Sequence, residues 1–301
     1  MKSAIPRRTA LYVPGSNPRA LDKATGLDAD VVILDLEDAV APEAKSEARA
    51  RVASRLGEWV GQPGAPEWVV RINGLSTPFG RDDLAAIVRA APDAILLPKV
   101  SVAADIERLR ACIVDLGGVP ERTRLWAMIE TPRAVLDPLA IVAAAAGEPR
   151  LEALVLGLND LSQETGTRQI RGRGPMLPWM MSTLAAARVA GLAILDGVYT
   201  DLADMAGFTE ECAMARDCGF DGKTVIHPSQ IAPANDAFSP TASEISDARQ
   251  IVDAFADPEN AGRGVLTVGG KMVERLHGEL AARTLSFAAV IDSRTKARRK
   301  S

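Results

Sequence analysis

Charged and titratable residues in this chain recur at one kind of place, directly after short apolar runs rich in β-branched side chains. The run VVILD leads into Asp35, Glu37 and Asp38, WVVR ends at Arg71, and AILLPK ends at Lys99. Further along, AMIE ends at Glu130, LVLGLND leads to Asp160, AILD ends at Asp196 and TVIH ends at His227. A single carboxylate in such a position has a plain use, capping the helix that follows. That nearly every run ends in a charged or titratable group needs a further reason, and an active site built from many strand ends supplies one.

Glu130 and Asp160 follow neighbouring runs and offer hard oxygen donors from two side chains. Mg²⁺ is commonly held in this way, keeping several waters and completing its shell with substrate oxygens. Zinc is disfavoured, because the chain has two histidines, His227 and His277, and no Cys/His ligand spacing. Arg71 has the chemistry to clamp a carboxylate or to stabilise developing negative charge, and a salt bridge to a nearby acid is compatible with that. For His227, followed by Pro228 in a loop, pocket lining and structural duty stay open together. Lys99 raises the idea of a Schiff base, but among carboxylates and a metal a lysine stays protonated, the wrong state for attack on a carbonyl. There is no GxSxG elbow and no P-loop, and cysteines and histidines show no nucleophile–base pairing, so covalent hydrolase and NTPase chemistry fall away.

The elements that must position these residues alternate in type. Eight candidate strands, Thr9–Val13, Val31–Asp35, Trp68–Arg71, Ala94–Leu97, Arg124–Ile129, Leu154–Leu156, Leu192–Leu195 and Thr224–Ile226, recur at roughly 30 residues, the length of one βα unit. Helical patterns lie between them, one from Asn17-Pro18 to about residue 26 and one from Pro42 to Trp59. Others fit residues 81–90, 102–116, 176–190 and 201–218. With no GxGxxG after the first run, a closed (β/α)₈ TIM barrel is favoured over an open dinucleotide-binding sheet. Residues 1–238 form this barrel, and 239–301 form a C-terminal helical appendage. The appendage reads as a helix at 241–257, a loop containing Gly262, Gly264, Gly269 and Gly270, and a helix at 271–292.

With 301 residues, 47% of them hydrophobic, and mean hydropathy +0.04, the chain buries a substantial core. A net charge of −4 and pI ≈ 5.4 argue against nucleic-acid binding. The one basic cluster, Arg294, Lys296, Arg298, Arg299 and Lys300, reads as a solvated tail. Cys112, Cys212 and Cys218 form no CxxC pair and no even disulfide set, which suits a reducing compartment. The N-terminus lacks a signal-peptide core and no uncharged apolar run reaches about 18 residues, so a cytoplasmic protein without membrane or nucleic-acid partners is expected.

The stretches LYVPGSNPRALDKA, DVVILDLEDAVAPEAKSEAR, VRINGLSTPFG, AILLPKV, AMIETPRAV, LGLNDLSQETG, DGVYTDL and GFDGKTVIHPSQI carry a resemblance. Together they resemble the citrate lyase β-subunit-like (CitE-like) proteins of the HpcH/HpaI aldolase superfamily, the group of malyl-CoA and citramalyl-CoA lyases. The resemblance implies a Mg²⁺-dependent carbon–carbon lyase on a TIM barrel, acting on a citramalyl-, malyl- or citryl-CoA type thioester to release a 2-keto acid and acetyl-CoA, or running in reverse. It implies Glu130 and Asp160 as metal ligands, Arg71 as the residue facing keto acid and enolate, and Glu37 and Asp38 as holders of metal-bound water. Substrate contacts are expected from Arg71, Glu130, Thr131, Lys99, Asp196 and His227. Homotrimers or hexamers are implied, with a C-terminal aspartate lying over a neighbouring subunit's site as acid/base. Alternatives on the same site are the β subunit of a citrate lyase complex using a carrier-bound substrate, a CoA-independent aldolase, and a thioesterase.

Two departures from the family pattern stand out. Asn159-Asp160-Leu161 replaces the usual Glu-Asp-Leu, removing a negative charge beside the metal. The C-terminal stretch reads GGKMVERLH, placing Glu274 where the aspartate is expected and Leu276 where proline is common. Glutamate can transfer the same proton but is one methylene longer, and a displacement near 1 Å can cost about 10²-fold in rate.

Overall fold

The computed structural model describes residues 5–119 and 121–298. The described residues divide into two compact units, Arg7–Phe238 and residues 239–298, to which Ile5 and Pro6 also belong.

The first unit is the expected closed barrel. Strands β1 (Thr9–Pro14), β2 (Val31–Asp35), β3 (Glu67–Arg71), β4 (Ala94–Leu97), β5 (Arg124–Ile129), β6 (Leu151–Leu156), β7 (Ala193–Asp196) and β8 (Gly222–Val225) pair in sequence order. All pairings are parallel, and β8 closes on β1 with Ala10 opposite Thr224. One parity of side chains, including Val31, Ile33, Val69, Leu96, Trp126, Met128 and Val155, packs together inside the barrel. The other parity, including Val32, Leu34, Val70, Ile95, Leu154 and Ile194, packs in the larger core shared with the surrounding helices. Burial on both faces is why these strands read as continuous apolar runs.

Ten helices accompany the strands: α1 (Pro18–Ala24), α2 (Lys45–Trp59), α3 (Gly80–Ile87), α4 (Ala103–Asp115), α5 (Pro132–Leu136), α6 (Pro138–Val142), α7 (Leu158–Thr165), α8 (Leu177–Ala190), α9 (Met205–Cys218) and α10 (Ile231–Ala237). Local signals set several ends. Asn17 accepts from the Ala20 N–H with Pro18 in the first turn of α1, and Asp204 accepts from the Gly207 N–H at the start of α9. α8 and α9 stop at Gly191 and Gly219, both in the left-handed region. The short helices α5, α6, α7 and α10 lie outside the sequence expectation; none exceeds eight residues, so helical periodicity is weak in each.

The second unit departs from an all-helical appendage. α11 (Ala242–Ala256) starts at a Thr241–Glu244 capping box, as expected. The glycine-rich stretch is a hairpin, β9 (Val265–Val268) against β10 (Lys271–Glu274), and α12 (Arg275–Arg298) begins only after it. Gly269 (φ 55°) and Gly270 (φ 78°) are both left-handed, as a two-residue hairpin turn matching the twist of the strands requires. In the basic tail, Arg294 donates to the Pro6 carbonyl at 3.3 Å and Lys296 pairs with Asp292, whereas Arg299 and Lys300 lie outside the described residues. Among the described residues no helix is long and apolar enough to cross a membrane.

Candidate active site

Asp35 and Arg71 are register partners at the ends of β2 and β3, and both face the barrel mouth. Arg71 Nε and Nη2 donate to the two oxygens of Asp35 at 2.7 and 2.6 Å, a fork that fixes the guanidinium. Its Nη1 lies 3.4 Å from Asp38 Oδ2, and 3.0 Å from Glu37 Oε2 without the alignment of a hydrogen bond. The guanidinium sits 4.8 Å from the centre of the Tyr12 ring, and the Tyr12 hydroxyl donates to Met128 Sδ at 3.9 Å. Burial pushes the Tyr12 phenol up, so it remains a proton donor.

The loop after β2 is held from behind. Asp35 accepts from the N–H groups of Glu37 and Ala39, and Lys45 Nζ donates to the carbonyls of Leu36 and Glu37 at 2.9 and 2.8 Å. Asn73 Nδ2 also donates to Leu36 O, at 2.7 Å. Burial, opposed by Arg71 and reinforced by Asp38 and Glu130, pushes the Glu37 carboxyl up to about 8.

Glu130 follows β5 and is almost fully buried. Its Oε1 accepts from the Lys99 backbone N–H at 2.6 Å, while Oε2 has no hydrogen-bond partner. The carboxylate fits a notch at Gly157, where an added Cβ would lie 2.4 Å from Oε2 and 2.5 Å from the Glu130 Cβ. Burial and the neighbouring Asp160 push the Glu130 carboxyl up to about 7. Asp160 stands in the first turn of α7, where the helix dipole favours a negative charge. Lys99 Nζ is 4.0 Å from Asp160 Oδ1. Partial burial would lower the Lys99 ammonium, but Glu37, Asp38, Asp160 and Glu130 outweigh it and raise it, which disfavours a Schiff base.

Glu130 and Asp160 are thus gathered at the mouth with Arg71, Glu37, Asp38 and Lys99. Among the described residues no three His, Cys, Asp or Glu side chains form a cage for a metal. Two carboxylates, one with a buried oxygen lacking any partner, fit Mg²⁺ better than a structural metal, since Mg²⁺ keeps waters and takes substrate oxygens.

Other expected contacts stand elsewhere or are already engaged. Asp196 is fully buried, with Oδ1 taking Arg173 Nη1 at 2.6 Å and Oδ2 taking Lys223 Nζ at 2.6 Å, so it is not offered to a ligand. Lys223 also reaches Glu211 of α9, which places the whole cluster on the outer side of the sheet. Burial alone would raise the Asp196 carboxyl, but Lys223 and Arg173 hold it below its ordinary value. The Thr131 hydroxyl accepts from the Ala134 N–H and bonds Ser101 Oγ, serving as the N-cap of α5. His227 is exposed past β8, where its Nδ1 accepts from the Ser229 N–H and lies 2.8 Å from Ser229 Oγ. Glu274 belongs to the second unit, exposed on the same hairpin face as Val265 and Met272, and its N–H donates to His277 Nδ1. Sequence reasoning missed Tyr12, Lys45, Asn73 and Gly157. For Gly157 a signal existed, a glycine between an apolar strand and the Asn159-Asp160 turn.

Residues 8–228 match the family model described as HpcH/HpaI aldolase/citrate lyase. The chain belongs to this family of enzymes. It is 46% identical over 288 residues, 96% of each chain, to a (3S)-malyl-CoA thioesterase of Cereibacter sphaeroides (strain ATCC 17029 / ATH 2.4.9). It is 37% identical over 273 residues, 89% of each chain, to the citrate lyase subunit beta of Leuconostoc mesenteroides subsp. cremoris. Among solved structures, it resembles the CitE protein of Mycobacterium tuberculosis in complex with magnesium, acetoacetate and coenzyme A, with TM-score 0.74, 30% identity, and coverage of 96% of this chain and 100% of that one. A citrate lyase from Burkholderia xenovorans LB400 shares the fold, with TM-score 0.80 at 24% identity over 96% of this chain and 94% of that one.

Proposed function

We propose that the mouth of the barrel holds Mg²⁺ through Glu130 and Asp160 and cleaves a carbon–carbon bond in a 3-hydroxy-3-carboxyacyl-CoA thioester of the malyl-, citramalyl- or citryl-CoA type. The observation that carries this is the buried Glu130 oxygen without a partner, set among more carboxylates than cations. When bound, the ion supplies Lewis-acid stabilisation of the substrate's hydroxyl and keto oxygens. Glu37 and Asp38 orient water at the site. Asp35 fixes Arg71 so that its Nη1 edge faces the enolate released when the bond between the carbinol carbon and the α-carbon breaks. The carbinol O–H gives its proton to Glu274 as its oxygen becomes the keto oxygen, the electron pair of the broken bond stays on the α-carbon, Glu274 returns the proton there, and the products are a 2-keto acid and acetyl-CoA. Supply of Glu274 by another copy in a homotrimer or hexamer belongs to this proposal, as does a cytoplasmic location. Lys99 and His227 contact the substrate, Thr131 holds the start of α5, and Asp196 stays engaged with Arg173 and Lys223.

A second reading, hydrolysis of the same thioester, is favoured by the 46% identity to malyl-CoA thioesterases over nearly the whole chain. The two differ in the bond broken. With purified protein, Mg²⁺ and (3S)-malyl-CoA, cleavage gives glyoxylate and acetyl-CoA with no free thiol, and hydrolysis gives malate and free CoA. Citramalyl- and citryl-CoA complete the panel, and EDTA and Glu130→Gln serve as controls. Turnover without partner proteins contradicts a purely complex-bound β subunit. If no thioester reacts above the Glu130→Gln background, both readings fail.

A further inference from the structure

Lys99 does two things with two parts of its structure. Its main chain is left-handed (φ 53°), a conformation side-chain-bearing residues seldom adopt, and in it the amide N–H donates to Glu130 Oε1 at 2.6 Å. Its side chain is half exposed and reaches Asp160, with Nζ 4.0 Å from Oδ1. The backbone is therefore tied to one carboxylate of the pair and the ammonium rests beside the other. The remaining cations at the mouth are committed elsewhere. Arg71 is forked on Asp35, and Lys45 is buried on the carbonyls of Leu36 and Glu37. Lys99 has the freedom to leave, because half of its side chain already meets solvent and, among the described residues, it makes no short hydrogen bond through Nζ.

We propose that the Lys99 ammonium is a tethered counter-ion of the Glu130–Asp160 site, standing in for positive charge there until a divalent cation displaces it. The idea rests on the reading of Glu130 and Asp160 as the cation site. A positive charge near a ligand carboxylate opposes the incoming ion, so the side chain weakens Mg²⁺ binding while the amide of the same residue supports it by aiming Glu130. Once displaced, the ammonium stays within a side chain's length of the mouth and offers its charge to the anionic substrate. Ion and substrate binding are thereby coupled through one residue.

The test is isothermal titration of Mg²⁺ into the full chain, using the wild type, Lys99→Met, Lys99→Gly and Glu130→Gln. Removing the charge while keeping the amide should tighten Mg²⁺ binding roughly 3- to 10-fold in Lys99→Met at low ionic strength, with the gain shrinking as salt screens the pair. Lys99→Gly should tighten it as well, since glycine is at ease at this φ and retains the N–H. In both variants KM for the thioester substrate should rise. Unchanged or weaker Mg²⁺ affinity in a folded Lys99→Met protein overturns the counter-ion role. Mg²⁺ binding that survives Glu130→Gln overturns the assignment of the site itself. A wild type that binds no Mg²⁺ overturns both.

Discussion

The two ends of the barrel use the same kinds of residue to opposite purposes. At the floor, Arg7 forks onto Glu67 at 2.7 and 2.8 Å and reaches Glu152 at 3.0 Å, Arg124 completes Glu152, and Arg8 forks onto Asp30. Three cations meet three carboxylates, and the Arg7 guanidinium lies 5.0 Å over the Trp126 ring. At the mouth, among the described residues, Asp35, Glu37, Asp38, Glu130 and Asp160 meet only Arg71 and Lys99, and buried oxygens of Glu37 and Glu130 lack hydrogen bonds. A buried charge left unpaired opposes folding, so the fold tolerates this imbalance where something outside the chain completes it. Paired charge at the floor maintains the barrel, and unpaired charge at the mouth is available for chemistry.

The strongest way to break this contrast is Glu130→Gln. Turnover should fall to background, a loss of at least about 10²-fold, while the melting temperature of the metal-free protein stays level or rises because a buried like charge is gone. A stability loss with retained turnover would reverse the assignment of the two ends. Gly157→Ala should come next in effect. Its Cβ has no room beside Glu130, so Mg²⁺ binding should weaken at least about 10-fold in a protein whose circular dichroism is unchanged. At the floor, Glu67→Ala should cost roughly 1–3 kcal/mol by removing the fork that holds Arg7 and leaving it Glu152 alone, measured by urea unfolding, with kcat per folded molecule unaltered.

The smallest effect sharpens the contrast through pH. Glu130 and Glu37 titrate near 7 and 8 in the folded protein against 4.5 for an ordinary glutamate, so below pH 4.5 both folded and unfolded states hold these protons. As pH rises from 4.5 toward 8 the unfolded chain releases protons that the folded chain retains, and the contribution of these groups to stability falls. Melts without Mg²⁺ should show this decline between pH 5 and 8, steeper up to about pH 7 in the wild type than in Glu130→Gln, and saturating Mg²⁺ should flatten it. A metal-free slope identical in wild type and variant contradicts the raised carboxyl.

The barrel was legible because each strand is apolar on both faces, and the nearness of Glu130 to Asp160 because two carboxylates follow adjacent strands. Which face a strand-end residue takes was less legible. Asp35 with Arg71 and Asp196 with Lys223 are both carboxylate–cation pairs in register on neighbouring strands, yet the first faces the mouth and the second packs against α9. One residue of parity decides this, and a four-residue strand leaves its parity ambiguous in sequence. The β9–β10 hairpin was hidden for a related reason, since its four-residue strands flank a Gly-Gly turn that reads as an irregular loop. Gly157 carried no charge to draw notice, because its contribution is the absence of a side chain.

The central claim is that the mouth is a cation site and the floor is not. Its most direct test is a Mg²⁺ titration followed by thermal melting at pH 8, comparing wild type, Glu130→Gln and Glu67→Gln. One Mg²⁺ per chain that raises the melting temperature of the wild type and of Glu67→Gln, but not of Glu130→Gln, is the predicted result. Stabilisation by Mg²⁺ that persists in Glu130→Gln, or that disappears in a folded Glu67→Gln protein, would contradict it.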